Sequence, residues 1–351
     1  MSVPSRSSAL PLGSFALIAV IIAASAGAFA YTAGWLSPNR LTAHKIIAAL
    51  APPGGPALGH RRNHAKGICF TGVFDSNGNG AVLSSSQIFT RGQYPALGRF
   101  NLATPNANAA DAMVRVRGLG LQISAPNGEV WRSAMIDPPF FPVATVEGFY
   151  ALQLASKSKD PSAMGTFAAA HPEIKAFGGW AKSAPWTGSY AEEPYKSLDS
   201  FIFTDESGAK RAVRWSYIPQ AQAVPITQAE LSKRGPNYLE QEIAERVGRA
   251  PQRWTLMLTV ADPSDQTVDP SKAWPKGRRT IKAGELVVQR IEAEADGPCR
   301  DVNFDPTILP NGVTVSDDPF PAARSSAYAV SYDARTAEAK YYPYTQSSSH
   351  P

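Results

Sequence analysis

Arg61-Arg62-Asn63-His64-Ala65-Lys66-Gly67 leads directly into Ile68-Cys69-Phe70-Thr71-Gly72-Val73-Phe74. The second run is apolar, β-branched and aromatic, and reads as a strand. The first is a basic turn ended by glycine. His64 therefore falls at a strand mouth, where a side chain is held firmly yet still reaches a cavity. Of the five histidines in the chain, it stands closest to such a strand. A lone imidazole there is either a structural group or a catalytic base. The choice rests on residues far downstream, around Tyr328.

Working outward, the chain continues mainly in strands. Asn77-Gly78-Asn79-Gly80 is a strong turn signal. Leu97 to Leu102, Gly118 to Ile123 and Trp131 to Ile136 read as short strands, and Pro138-Pro139-Phe140-Phe141 as a rigid aromatic corner. Ser200 to Thr204 and Ala212 to Tyr217 form a hairpin over Asp205-Glu206-Ser207-Gly208, and Trp254 to Val260 and Glu285 to Ile291 are the last strands. Helical spacing predicts Leu41 to Leu50, Val146 to Ser156 and Thr227 to Val247, the last with Thr227 and Glu230 as a capping box. About eight strands, mostly sequential, predict an α+β fold: an antiparallel eight-stranded β-barrel with helices outside it.

A chain of 351 residues with 44% hydrophobic and 18% charged content is long enough and apolar enough for a substantial core. Thirty prolines and 27 glycines fit a turn-rich, β-rich fold. The net charge is +5, but the basic residues are scattered, which leaves no nucleic-acid footprint. Cys69 and Cys299 make either one bridge in an oxidising compartment or two isolated thiols. There is no CxxC, HExxH or Cys/His cluster to bind zinc.

No charged residue occurs from Ser7 to Asn39, and Phe15 to Trp35 is apolar or small, about the length that crosses a bilayer. Arg6 and the α-amino group precede it, as in an export signal, and Ala28-Phe29-Ala30 has the small residues a signal peptidase prefers. Residues 1–38 are thus expected to be a signal sequence or membrane anchor, and residues 39–345 the functional domain. The expected location is the periplasm, with possible anchoring in the inner membrane by residues 15–35.

Ala322 to Lys340 contains neither proline nor glycine and predicts a helix. Arg324, Tyr328 and Arg335 lie four and eleven residues apart, so they fall within about 40° of one another on one stripe. Two guanidinium groups and a phenol are unusual for a core stripe. Arg at i and Tyr at i+4 are neighbours, and the cation favours the phenolate. A phenolate is a hard iron ligand, and one use of it is haem with an axial tyrosine.

Seven short segments occur in a telling order: Asn63-His64-Ala65-Lys66-Gly67, Gly98-Arg99-Phe100, Arg117-Gly118, Pro139-Phe140-Phe141, Trp274-Pro275, Phe304-Asp305-Pro306 and Arg324-Ser325-Ser326-Ala327-Tyr328. In this order and spacing they resemble the catalase superfamily, and within it the short exported catalase-related peroxidases. The resemblance covers about Leu41 to Arg335. It implies a haem b site on a β-barrel, with a C-terminal helix on the proximal side of the haem. His64 would be the distal base, Tyr328 the iron ligand and Arg324 the donor to the phenolate. Arg61, Arg99 and Arg335 would pair with the haem propionates, and Phe140 would wall the distal side.

Two departures stand out against the family pattern. An asparagine usually precedes the PxFF segment, and here Met135-Ile136-Asp137 stands in its place. The Ser or Thr that orients the distal histidine is Asn101. Loss of the distal amide should weaken the step in which a second peroxide acts as reductant. The implied function is reduction of hydrogen peroxide or organic hydroperoxides by a small organic electron donor, with weak or no catalase activity. Large catalases carry terminal extensions beyond the proximal helix, so NADPH and the usual tetramer are not expected; a monomer or small homo-oligomer is. Two other readings fit the same residues: a lipid hydroperoxide isomerase or dehydratase, and a non-catalytic exported haem-binding barrel.

Overall fold

The computed structural model describes residues 12–33, 35–37 and 40–342. Arg6, Asn39 and residues 343–345, which enter the expected signal sequence and domain limits, lie outside the described residues.

Four strands run as an antiparallel meander: β1 (Gly67–Ser76), β2 (Gly92–Leu102), β3 (Arg117–Ser124) and β4 (Val130–Ile136). Next come β5 (Trp186–Thr187), β6 (Tyr195–Lys196), β7 (Phe201–Thr204), β8 (Lys210–Pro219), β9 (Pro225–Ile226), β10 (Gln252–Val260), β11 (Thr280–Ala293) and β12 (Val313–Val315). The eight strands β1, β2, β3, β4, β6, β8, β10 and β11 close into a ring, because β11 pairs back onto β1 and β10 pairs with β8. Closure removes the free sheet edges. β7 and β12 extend the sheet beyond β8, and β5 and β9 form a separate ribbon. The eight-stranded antiparallel barrel expected from the sequence is therefore present, with four further short strands.

Alternation fills the barrel. Phe70, Phe74, Phe100, Leu119, Leu121, Trp131, Trp254 and Leu286 point inward and are at most 1% exposed. Each such side chain contributes roughly 1.5–3 kcal/mol of burial. The filling is tight enough to dictate small neighbours: a Cβ on Gly98 would meet the Phe70 ring at 2.1 Å.

The helices are α1 (Leu12–Thr32), α2 (Ala43–Leu50), α3 (Val146–Lys157), α4 (Ala163–Ala170), α5 (Ile174–Ser183), α6 (Gln228–Leu231), α7 (Tyr238–Arg249) and α8 (Pro319–Ala337). The capping box at Thr227 and Glu230 is formed. The single helix expected over Thr227 to Val247 is corrected to two, because Gly235-Pro236 interrupts it; Pro236 lacks the N–H and disfavours helix in the residue before it. α8 starts three residues before the expected Ala322, with Asp318 accepting from the Phe320 N–H at 2.9 Å and Pro319 in the first turn. Ile46 and Leu50 of α2 pack on Ala327 of α8, with Val146 and Phe149 of α3 beside them. This helical layer roofs one side of the barrel.

α1 stands apart. Phe15, Ile18, Val20 and Ile22 are each more than half exposed, and Gly13–Thr32 is long and apolar enough to cross a membrane.

Candidate functional site

A cavity of about 650 Å³ opens between the barrel and the helical layer. That volume is within the range of cofactor sites, roughly 300–1,000 Å³. His64, Arg61 and Arg99 line it from the barrel side, and Arg324, Tyr328 and Arg335 from α8. The single stripe expected on α8 thus opens onto the same space as the strand-mouth histidine. Phe140 is the exception. It is not among the lining residues, where Phe141 and Pro142 stand.

His64 is locked. Its backbone is left-handed, φ 53°, a region that non-glycine residues seldom adopt. Asn63 Oδ1 accepts from the His64 N–H at 2.9 Å, and Arg99 Nη1 donates to the His64 carbonyl at 2.8 Å. The ring is fixed by Asn101, whose Oδ1 lies 2.6 Å from Nδ1. Asn101 Nδ2 donates to the Arg99 carbonyl at 3.2 Å, which turns the amide oxygen toward the imidazole. Nδ1 must then carry the proton, and Nε2 keeps its lone pair. A Cβ on Gly118 would fall 2.3 Å from that Asn101 oxygen, so glycine makes room for the pair. Burial, with Arg99, Arg324 and Arg61 adding to it, pushes the imidazole down to about 4, against the Asn101 bond that raises it. A neutral imidazole at physiological pH is a base with a free lone pair.

Tyr328 is held through Arg324. Arg324 Nη2 donates to the Tyr328 hydroxyl oxygen at 3.1 Å and to the Ala134 carbonyl at 2.6 Å, while Nη1 donates to Asp199. Burial lowers the Arg324 value, but Tyr328 and Asp199 outweigh it and raise it, so the guanidinium stays charged beside the phenol oxygen. Asp199 was not legible in the sequence. It comes from the turn before β7, 125 positions from Arg324, with no local motif to mark it.

The remaining cations gather together. Arg99 forms a two-point pair with Glu294, both contacts 2.6 Å. Burial would raise the Glu294 carboxyl, yet Arg99 and Arg61 hold it below its ordinary value. Arg61 donates to the Cys299 carbonyl at 3.0 Å, and Arg335 to the Arg300 carbonyl at 2.6 Å. Both therefore clasp the segment that follows the Cys69–Cys299 disulfide, which joins β1 to that segment and settles the pairing the sequence left open. Burial and the neighbouring Arg99 push Arg61 down to about 9. Its buried Nε lies 3.4 Å from Glu294 Oε1, an ion pair without a well-formed hydrogen bond.

These observations test the fit of a haem. Arg99 and Arg61 both lie against the one buried carboxylate of Glu294, and Arg335 pairs with the half-exposed Asp301 at 3.6 Å. A ligand with acidic substituents would complete the set. The walls supply apolar faces from Val116, Leu119, Ala134 and Phe304, and Tyr328 offers a phenol oxygen. Among the described residues no group of three or more His, Cys, Asp or Glu could hold a metal ion by itself. The residues fit a planar, acidic, iron-bearing ring. Met135, 3% exposed, also lines the cavity.

The fold and the cavity thus define a closed β-barrel with a cofactor-sized site between barrel and helices. Residues 56–342 match the family model described as catalase, and the chain belongs to the catalase family. It is 32% identical over 328 residues to a catalase-related peroxidase of Synechococcus elongatus, covering 92% of this chain and 97% of that one. It is 28% identical over 299 residues to a catalase-related peroxidase of Mycolicibacterium paratuberculosis, covering 84% and 95%. Among solved structures, a bacterial catalase superposes with a TM-score of 0.70 at 18% identity, and catalase A from Saccharomyces cerevisiae with 0.70 at 17%. The matched part spans 57% and 65% of those two chains and 79% and 82% of this one.

Proposed function

We propose that this protein is a haem b peroxidase that reduces hydrogen peroxide or an organic hydroperoxide with a small organic electron donor. The observation that carries the reading is the pairing, on the walls of one cavity, of a neutral tautomer-locked His64 with the Asp199–Arg324–Tyr328 chain. Tyr328 would ligate the iron, and Arg61, Arg99 and Arg335 would receive the propionates. When bound, the haem supplies the redox centre that accepts the peroxide's oxidising equivalents. His64 Nε2 takes the proton from one peroxide oxygen and returns it to the oxygen that leaves as the O–O bond breaks. Arg324 keeps a positive charge beside the Tyr328 oxygen and donates a hydrogen bond to it. Overall ROOH, two electrons and two protons give ROH and water, the electrons coming from the donor. Met135 offers no hydrogen bond to a second peroxide, which supports a weak catalase side reaction.

Residues 39–345 form the haem domain in this reading, and residues 1–38 serve as export signal or anchor to the periplasmic face of the inner membrane. The exposed apolar surface of α1 supports this. Rapid mixing of the haem-loaded protein with peroxide tests the chemistry. His64→Ala should retain haem and slow the peroxide step by about 10²–10⁴; an unchanged rate excludes His64 as the base. Dye oxidation with little oxygen release is expected from the wild type, and oxygen release without dye oxidation would contradict a peroxidase.

A further inference from the structure

A second charged group lines the same cavity, and nothing in the peroxide chemistry above uses it. Lys196, on β6, and Arg115, just before β3, both face the cavity. Lys196, which pairs in register with Ile136 at the end of β4, donates through Nζ to the carbonyl of the next residue, Asp137. On its other side, β6 pairs with β8 through Lys196 and Ser216, which brings no charge. Arg115 reaches Asp137 Oδ2 at 2.7 Å and Glu193 Oε1 at 3.4 Å, and its buried Nε has no partner. Arg117 of β3 reaches the same Glu193 at 3.2 Å.

Three cations, Arg115, Arg117 and Lys196, therefore share two carboxylates, Asp137 and Glu193. Lys196 is the one left over. Two of its three ammonium donors have no partner among the described residues. Lys196 has the charge of Asp137 and Glu193 nearby but makes no ion pair with either, and an anion arriving from the cavity would give its ammonium a direct partner. The cations also adjoin apolar surface. Arg115 lies over the Trp180 ring at 5.0 Å, Trp180 packs on Phe177 at 5.5 Å, and Phe177 lines the cavity with Leu152 and Phe149. A positive end continuous with an apolar wall fits an amphipathic acid.

We propose that Lys196 and Arg115 form a subsite for the carboxylate of an organic hydroperoxide, whose apolar body lies along Phe177, Leu152 and Phe149. The assignment to a hydroperoxide rests on the peroxidase reading above. A donor could deliver electrons from outside, whereas the peroxide must enter the cavity to reach His64. Burial pushes Lys196 down to about 8, with Asp137 and Glu193 opposing the shift and Arg115 adding to it. Carboxylate binding requires the charged ammonium. It is thus lost as pH rises through about 8, a bound anion moving that loss upward, and lost again below about pH 5, where the ligand's own carboxyl protonates.

The test is calorimetric titration of the haem-loaded protein with octanoate and with octanol, which share a tail and differ in charge. Octanoate should bind about ten- to a hundredfold more tightly at pH 7. Lys196→Met should abolish the difference, Lys196→Arg should keep most of it, and alkaline pH should shrink it. In turnover, the kcat/KM ratio of a hydroperoxy fatty acid to tert-butyl hydroperoxide should fall with the same substitution. Equal affinity for the two probes, or a preference that survives Lys196→Met, overturns the subsite while leaving the peroxidase reading intact if tert-butyl hydroperoxide is reduced. Loss of haem rather than of octanoate affinity in Lys196→Met would assign the cation to the cofactor and overturn it too. Octanoate preference in a protein that takes up no haem would contradict the peroxidase reading, and with it the hydroperoxide as occupant.

Discussion

At the scale of single residues, the site turns on which proton His64 holds. Folding depresses its value from the ordinary 6.5 to about 4, so the folded protein favours the neutral ring. The sign follows: protonating His64 costs stability as pH falls below 6.5, and the base is lost as pH falls through about 4. The peroxide step should therefore be flat above about pH 5 and fall on the acid side of 4, which a stopped-flow pH series checks. A profile with an inflection near 6.5 would show that burial does not act on the ring as described. Asn101→Leu keeps the volume but removes the acceptor at Nδ1, and should slow the same step by about tenfold through loss of one hydrogen bond. His64 was legible because a strand mouth is a local pattern. Asn101 was visible only as a departure from Ser or Thr, since its role depends on which end of the amide the Arg99 carbonyl selects.

At the scale of elements, α8 was the most readable part, because the three side chains it turns toward the cavity share one helix and one period. Their partners were not readable. Asp199 and the carbonyls of the segment at 299–302 come from elements far away in sequence, and the sequence alone does not say which segments fold against α8. The broken helix around Gly235-Pro236 is a different failure, since the punctuation was present and the apolar period overrode it. The Cys69–Cys299 bridge ties the strand after His64 to the segment that Arg61 and Arg335 clasp. Cys299→Ser should lower stability by about 2–4 kcal/mol in urea unfolding and speed haem loss to a scavenging apoprotein. Unchanged haem release would show that the two arginines hold their segment without the bridge.

At the scale of the whole molecule, the barrel was legible from strand count and turns, but the short strand through which it closes was not. The ring passes through the two-residue β6 and a single Ile136–Lys196 pairing to β4, too short to show in any pattern of alternation. α1 carries exposed apolar side chains, and its Gly13–Thr32 span has none buried. Removing residues 1–39 should thus release the protein from membranes into the soluble fraction with its haem spectrum unchanged; a protein that then precipitates or loses haem would show that the segment supports the domain. The central claim is that Tyr328 ligates a haem in the cavity between barrel and α8. An absorption spectrum of the purified protein after haem is supplied tests it most directly. A high-spin ferric Soret band that is lost or displaced in Tyr328→Phe is the expected result. A colourless wild type, or a Tyr328→Phe spectrum identical to it, would contradict the account.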